Sequence, residues 1–399
     1  MKISSLFFAL YFVLIVLVSC QFIPTSRYLQ TSVLVNNSKW YIFGGDFGNS
    51  NFTNEILNLE LSSSFDISSP QWHKDQIGSF KYFFSTSCVS VDNSSIFIIG
   101  GNMYDLDQRP EDPNYYSNVY EYSLNNSSWT TPNITGIDNF KECGGLQSII
   151  DNTGRIFLYG GVRNISGEIC NKMSIFYTNN MSWLSINLTT SRTGYAATLL
   201  KGGNITYIGG RSVATYNDSS YVNMNEILIF DTNSLSWYNV TAIGDYIEGR
   251  AGHSAVLARD SKIIIYGGAK TPKARAVKPD LAMLDINVYP FKWIILNNST
   301  VGAPSPSLTS HSATFYDDFM IITLGRFTMS GTYLNNSTYI FDTLNFKWVN
   351  TLDRSISLTA PEIITISIIA IFVVLFFIIV VVILQRSKES IKNERLSSF

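Results

Sequence analysis

A ring of six four-stranded antiparallel sheets, a β-propeller, is the fold class this sequence predicts. Three observations predict it. Apolar runs ending in glycine recur six times, a tryptophan follows each run at a nearly constant distance, and the residues between them favour short strands and turns. The runs are Trp40 to Gly45, Ile96 to Gly101, Ile156 to Gly161, Ile205 to Gly210 and Ile263 to Gly268, each closing on a Gly-Gly pair. A sixth, Met320 to Gly325, keeps only the second glycine. Successive second glycines stand 56, 60, 49, 58 and 57 residues apart. The tryptophans are Trp72, Trp129, Trp183, Trp237, Trp293 and Trp348, spaced by 57, 54, 54, 56 and 55 residues. A fixed period of this length marks a repeat architecture. It also lets one domain exceed the roughly 250–300 residues at which single cores stop growing.

Each unit holds four predicted strands. An inner strand such as Arg250 to Leu257, matched by Arg192 to Leu199 and Arg27 to Leu34, precedes the glycine run. A third strand such as Asn225 to Asp231, matched by Asn336 to Asp342 and Asn171 to Tyr177, follows it, and the tryptophan opens the fourth. Their β-branched and aromatic content and four-to-eight-residue length suit strands. One such sheet cannot bury both faces, so the units must stack and close. Crowding at the axis selects small residues such as Ser254, Ala255, Ala196 and Ser312. The glycine pairs allow positive φ and close approach, and the tryptophans fill the widening gap between blades. These residues are therefore assigned to the scaffold.

Composition agrees. Of 399 residues only 15% are charged and 14% are aromatic, a balance that suits turns and strands better than amphipathic helices. A formal net charge of −2 argues against a general nucleic-acid binder.

The two ends predict passage into a membrane. Residues 1–20 read as a secretory signal peptide: Lys2, an apolar run from Leu6 to Val18, then the small residues before Gln21. Residues 363–384 carry no charge and are long enough to span a bilayer as a helix. Arg386, Lys388, Lys392 and Arg395 follow in a tail, 385–399, which marks the cytosolic side. The organisation predicted is a signal peptide, a propeller over 21–350, a stalk over 351–362, a transmembrane helix and that tail. A glycolipid-anchor signal would end in its apolar stretch, whereas here charged residues follow.

The glycine pairs, the aromatic-Asp elements Phe230-Asp231 and Phe341-Asp342, and the trailing Trp237 and Trp348 resemble the kelch repeat family. The resemblance spans the predicted exterior and implies a closed six-bladed ring. Departures fall in blade six, where Leu324 replaces a glycine, and in blade one, with its longer path from Glu60 to Trp72. Galactose-oxidase-type copper enzymes share this scaffold. Their chemistry needs a Tyr-His dipeptide and several imidazoles, but this chain has only His73, His253 and His311 and no such dipeptide. His253 and His311 fall in one inner-strand column with Tyr195, Gln30 and Leu146, which assigns them to hydrogen bonding. No catalytic residue, metal ligand or cofactor is expected.

Four further expectations concern the exterior. Sixteen Asn-X-Ser/Thr sites are candidates for N-glycosylation: Asn36, Asn51, Asn93, Asn125, Asn126, Asn133, Asn164, Asn180, Asn187, Asn204, Asn217, Asn239, Asn297, Asn298, Asn335 and Asn336. Cys143, placed at the opening of an inner strand, and Cys170, in the loop before a third strand, are expected to share a disulfide, the alternative being two free thiols. Cys88 is expected to be a buried, small apolar side chain. Loops leaving the second strands gather on one face. There Asp105, Asp107, Tyr115 and Tyr116 of blade two would oppose Lys270, Lys273, Arg275 and Lys278 of blade five. The function expected is a non-catalytic, membrane-anchored binding module, at the cell surface or facing the lumen of the secretory pathway, for an extracellular protein or glycan. The alternatives are an extracellular carbohydrate-active or oxidase enzyme and a structural wall anchor.

Overall fold

The computed structural model describes residues 22–75, 78, 80–105, 119–136, 143–163, 167–212, 220–270, 274–296, 306–328 and 333–353. Six antiparallel four-strand arrays follow one another, each running from inner to outer strand in chain order. Blade one is Thr31–Val35, Lys39–Phe43, Ile56–Glu60 and Trp72–Lys74. Blade two is Thr86–Val89, Ser95–Ile99, Val119–Ser123 and Ser128–Thr130. Blade three is Ile149–Ile150, Arg155–Tyr159, Lys172–Tyr177 and Ser182–Asn187. Blade four is Ala196–Leu199, Asn204–Ile208, Glu226–Asp231 and Ser236–Thr241. Blade five is Ala251–Ala258, Lys262–Lys270, Leu281–Asp285 and Lys292–Ile295. Blade six is Ser312–Tyr316, Phe319–Thr323, Thr338–Asp342 and Lys347–Val349.

Two sets of backbone hydrogen bonds tie the blades together. At or just before the start of each inner strand one residue takes positive φ: Leu29, Phe84, Gly145, Gly194, Gly252 and Ser310, all between +52° and +68°. Their peptides form an unbroken circle. Phe84 N–H donates to Leu29, Gly145 to Phe84, Gly194 to Gly145, Gly252 to Gly194, Ser310 to Gly252, and Leu29 back to Ser310, over 2.6–3.3 Å. Outside this circle the second glycine of a pair donates to the next blade. Gly45 reaches Tyr82, Gly101 Cys143, Gly161 Arg192, Gly210 Arg250, and Gly325 Arg27. The first glycine shows why the doublet is needed, since a Cβ at Gly44 would lie 2.2 Å from the Tyr82 carbonyl oxygen. In blade six Leu324 takes the same backbone conformation, at φ +60°, one that L side chains rarely adopt.

The tryptophans pack as their spacing implies. Trp237 of blade four lies 4.9 Å from Tyr159 of blade three, Trp129 of blade two 6.2 Å from Phe43 of blade one, and Trp348 of blade six 5.6 Å from Tyr266 of blade five. Each ring fills the wedge toward the preceding blade, and truncating the buried Trp348 to alanine costs about 3–5 kcal/mol.

No strand is exchanged to close the ring among the described residues. Of the N-terminal segment, Tyr28 alone makes a bridge, to Asp46. Closure comes from the other end: Thr351–Leu352 pairs antiparallel with Phe65–Asp66, and Ile67 N–H donates to Asn350. Leu352 and Phe65 are buried with Trp40, Tyr316 and Ile340. The long path from Glu60 to Trp72 therefore exists to receive the chain's exit, and Thr351 and Leu352 belong to the ring rather than to a stalk. The compact unit runs to Leu352. Among the described residues no helix is long and apolar enough to cross a membrane. The predicted signal peptide, the transmembrane helix, the tail and residues 354–362 of the stalk lie outside the described residues.

Candidate functional site

The inner strands enclose an axial cavity of about 220 Å³. Its wall is rich in hydroxyls, because small side chains suit the place where six strands converge, and Leu29, Phe84 and Leu146 line it as well. The hydroxyls cross-link the blades. Gln30 Nε2 donates to Ser312 Oγ at 3.0 Å, Thr31 meets Ser87 at 2.7 Å, and Thr86 meets Ser148 at 2.8 Å. Gln147 Oε1 accepts the Ala197 N–H at 2.8 Å. Cys88 is buried beside them and donates to Ser148 Oγ at 3.0 Å. Burial pushes its thiol up to about 12, outweighing that hydrogen bond, so it is not a nucleophile at neutral pH.

Both histidines of the column face this hub. His311 Nε2 shares a 2.7 Å hydrogen bond with Ser254 Oγ. A serine beside an imidazole in a cavity is the beginning of a nucleophilic dyad, but the electrostatics work against it. Burial holds His311 down to about 3, and its other neighbour is the Leu308 backbone rather than a carboxylate. His253 is likewise lowered to about 3 by burial, then by the Arg250 charge and by His311. Among the described residues no three His, Cys, Asp or Glu side chains gather as a metal site.

The loop face holds what is described of the polar rim. Asp105 ends a short strand, Asn102–Asp105, paired with Phe80–Phe83. Asp107, Tyr115, Tyr116 and Lys273 lie outside the described residues. The basic side is less free than its sequence suggests. Glu248, in the segment entering blade five, binds Arg275 at 2.6 Å and Lys270 at 3.5 Å, and accepts the Lys278 N–H at 3.1 Å. Burial pushes the Glu248 carboxyl up, but Arg275, the Lys278 N–H and Lys270 outweigh it and leave it below its usual range. Among the described residues Lys278, alone of these three, makes no ion pair, and its residue is exposed. Cys143 and Cys170 form a disulfide, Sγ–Sγ 2.06 Å. Cys143 stands in a two-residue strand, Cys143–Gly144, paired with Val162–Arg163, not in the inner strand itself.

Three buried arginines stand at the same place in their blades. Arg27, Arg192 and Arg250 lie two residues before the circle of positive-φ residues, and each carbonyl accepts a glycine N–H from the preceding blade. Arg27 binds Glu55 at 2.5 Å, and Arg192 binds Glu226. Arg250 instead donates to the carbonyls of Glu248, Gly267 and Lys278. Desolvation, opposed by Glu248 and Asp280, lowers it to about 10, so it stays charged.

A family model described as the KLHDC2/KLHL20/DRC7 Kelch-repeats domain matches residues 16–210 and 194–366. The chain belongs to this kelch-repeat family. It is 24% identical over 188 residues to Kelch domain-containing protein 3 of Bos taurus, covering 46% of each chain. It is 22% identical to a Kelch repeat-containing protein of Arthroderma benhamiae, over 81% of this chain and 56% of that one. The chain thus spans about half the length of these curated relatives. Among solved structures it is similar to YjhT, with TM-score 0.60 and 13% identity over 83% of this chain and 99% of that one. That likeness shows the fold.

Within the kelch ring, the residues that sequence reasoning passed over are Glu248 and the arginine column. The arginines were in view as aligned letters in three units, and a charged residue repeated at a predicted core position is the signal that could have found their role. Glu248 has no repeat column to betray it.

Proposed function

We propose that this chain is a non-catalytic binding module: a kelch ring, N-glycosylated and held outside a membrane by one helix, that recognises a protein or glycan through its loop face. The observation that carries the reading is the division of labour within the ring. The hub side chains bond blade to blade, whereas the rim loops keep exposed charge at Lys278, beside an Arg275 that is exposed but paired with Glu248. Two apolar segments, 6–18 and 363–384, flank the repeats, and basic residues follow the second. Nine of the described acceptor asparagines, Asn36, Asn51, Asn125, Asn126, Asn133, Asn180, Asn187, Asn239 and Asn336, are exposed, as attachment requires. Asn93 and Asn204 are half-buried. Asn335 is buried, with its amide bound to the Leu324 and Ser337 carbonyls, so of that overlapping pair Asn336 is the acceptor.

The test is display of the full chain on cultured cells, probed with panels of glycans and recombinant cell-surface proteins. Capture that is lost on Arg275→Glu with Lys278→Glu, at unchanged surface level, supports the reading. Capture indifferent to that double variant refutes the rim assignment. Protease sensitivity of the ring in sealed cells reports the topology separately.

A further inference from the structure

On the opposite side of the ring, where the hairpin turns lie, blades four and five leave an open cleft of about 480 Å³. That volume falls within the roughly 300–1,000 Å³ of small-molecule sites. Its blade-four wall follows from register. Thr206 pairs with Ile229, which pairs with Tyr238, and Ile229 packs with Ile263 and Ile265 of blade five. Asn204 precedes Thr206 by two residues, so it points to the same side. The facing wall is the turn of blade five's first hairpin, with Leu257 and Asp260, and Phe291 beyond it. The lining is amphipathic: apolar side chains at depth, and Lys201 and Asp260 among the polar groups. Tyr238 is 43% exposed and offers an aromatic face.

Asn204 is also the first residue of an Asn-Ile-Thr acceptor. It is half-buried in this wall, and among the described residues its side-chain amide makes no hydrogen bond. We propose that the glycan carried by Asn204 folds back into this cleft and is held there, its first N-acetylglucosamine units stacked on Tyr238. A pyranose suits the lining because one face presents C–H groups to an aromatic ring while its hydroxyls turn to Lys201 and Asp260. The inference rests on reading the ring as a secretory glycoprotein. Attachment forms a C1–Nδ2 bond as the C1–O bond to a lipid pyrophosphate donor breaks; the amide gives up one proton and the pyrophosphate leaves. Asn239 supplies an internal control. It is the neighbour of Tyr238 on the same strand, so it faces the other side of the blade, and it is exposed.

Site-resolved mass spectrometry of glycopeptides from the full chain, made in cultured mammalian cells, tests this. The expected result is that Asn204 is occupied and stays largely oligomannose, because nested sugars escape trimming, while Asn239 is processed. Tyr238→Ala should move most Asn204 glycans to processed forms at unchanged thermal midpoint, and Tyr238→Phe should keep them protected. An empty Asn204 beside occupied neighbours overturns the proposal and leaves the glycoprotein reading intact. So does processing at Asn204 equal to that at Asn239, or indifference to Tyr238→Ala. If no acceptor anywhere is occupied, the glycoprotein reading falls with it.

Discussion

Two seams of the ring, between blades six and one and between blades four and five, are built on the same plan and finished differently. Both carry the circle bond and the glycine-to-arginine bond, at Leu29 and Gly325 in the first and Gly252 and Gly210 in the second. The six–one seam adds the Gln30–Ser312 hydrogen bond and the Thr351–Leu352 clasp on Phe65–Asp66. The four–five seam adds the Trp293 N–H to the Met224 carbonyl at 2.9 Å, and on the turn side it stays open as a cleft. Chain connectivity accounts for the contrast. Five seams are crossed by the polypeptide itself, which keeps neighbouring blades at high effective concentration. The sixth is not, so non-covalent contacts alone must hold it. A gap is tolerable at a covalently crossed seam and would be hazardous at the closing one.

The largest expected effect tests the arginine behind the closing seam. Arg27 is fully buried, and Glu55, which Lys74 also binds at 2.5 Å, supplies its counter-charge. Glu55→Ala strands that charge and is expected to cost about 3–5 kcal/mol in denaturant unfolding of the full chain. The double variant Arg27→Met with Glu55→Leu should be much milder, since no buried charge is left. If the double were as damaging as the single, packing rather than charge would hold the Arg27 segment in place behind this seam. Next comes the clasp. Leu352→Ala is expected to cost about 2–5 kcal/mol. A Phe291→Ala change at the half-buried cleft wall should cost visibly less, and equal losses would erase the contrast between the seams.

The sequence made the ring legible because closing six sheets leaves few choices at a hub and a wedge, and glycine and tryptophan fill those at a steady period. It made Cys143 and Cys170 legible as neighbours for the same reason, though it placed Cys143 in the inner strand instead of the ribbon before it. The clasp was visible only as extra length between Glu60 and Trp72, since two-residue pairings have no pattern of their own. The circle was half visible: Gly145, Gly194 and Gly252 announce positive φ, but Leu29, Phe84 and Ser310 adopt it under tertiary constraint. The rim was least legible, because Glu248 captures Arg275 across 27 residues with no repeat relation. A charged loop read from sequence overstates the charge it presents.

Acid should weaken the two sides of the molecule at different pH. His253 lies against blade four, 2.9 Å from where a Cβ on Gly209 would sit, and His311 bonds blade five. Both are held down to about 3, against 6.5 when unfolded. A lowered histidine means the unfolded chain takes up protons first, so stability is full above about pH 6.5 and falls as pH drops toward 3. Burial raises Glu55, yet Lys74 and Arg27 outweigh it and leave its carboxyl below 4.5. Its contribution is present above pH 4.5 and lost only below. Losses between about pH 6.5 and 4.5 therefore belong to the blade-five histidine seams. His253→Gln should reduce the loss across that window in urea midpoints measured against pH, and His253→Gln with His311→Gln should flatten it. A flat wild-type profile there would mean the histidines are not buried in solution.

The smallest effect sharpens the comparison most, because it asks whether the cleft is scaffold or surface. Tyr238 sits across the outer strand from Ile229 but keeps 43% of its surface exposed. Its ring adds little to the packing that holds blades four and five together, which the buried Ile229, Ile263 and Trp293 supply. In protein produced without glycans, Tyr238→Ala is therefore expected to shift unfolding free energy by no more than about 0.5 kcal/mol. Trp293→Ala, one blade on and fully buried, should cost about 3–5 kcal/mol in the same titration. A large loss from Tyr238→Ala would make the cleft wall part of the seam's own packing, and the difference between the two seams would then be one of degree.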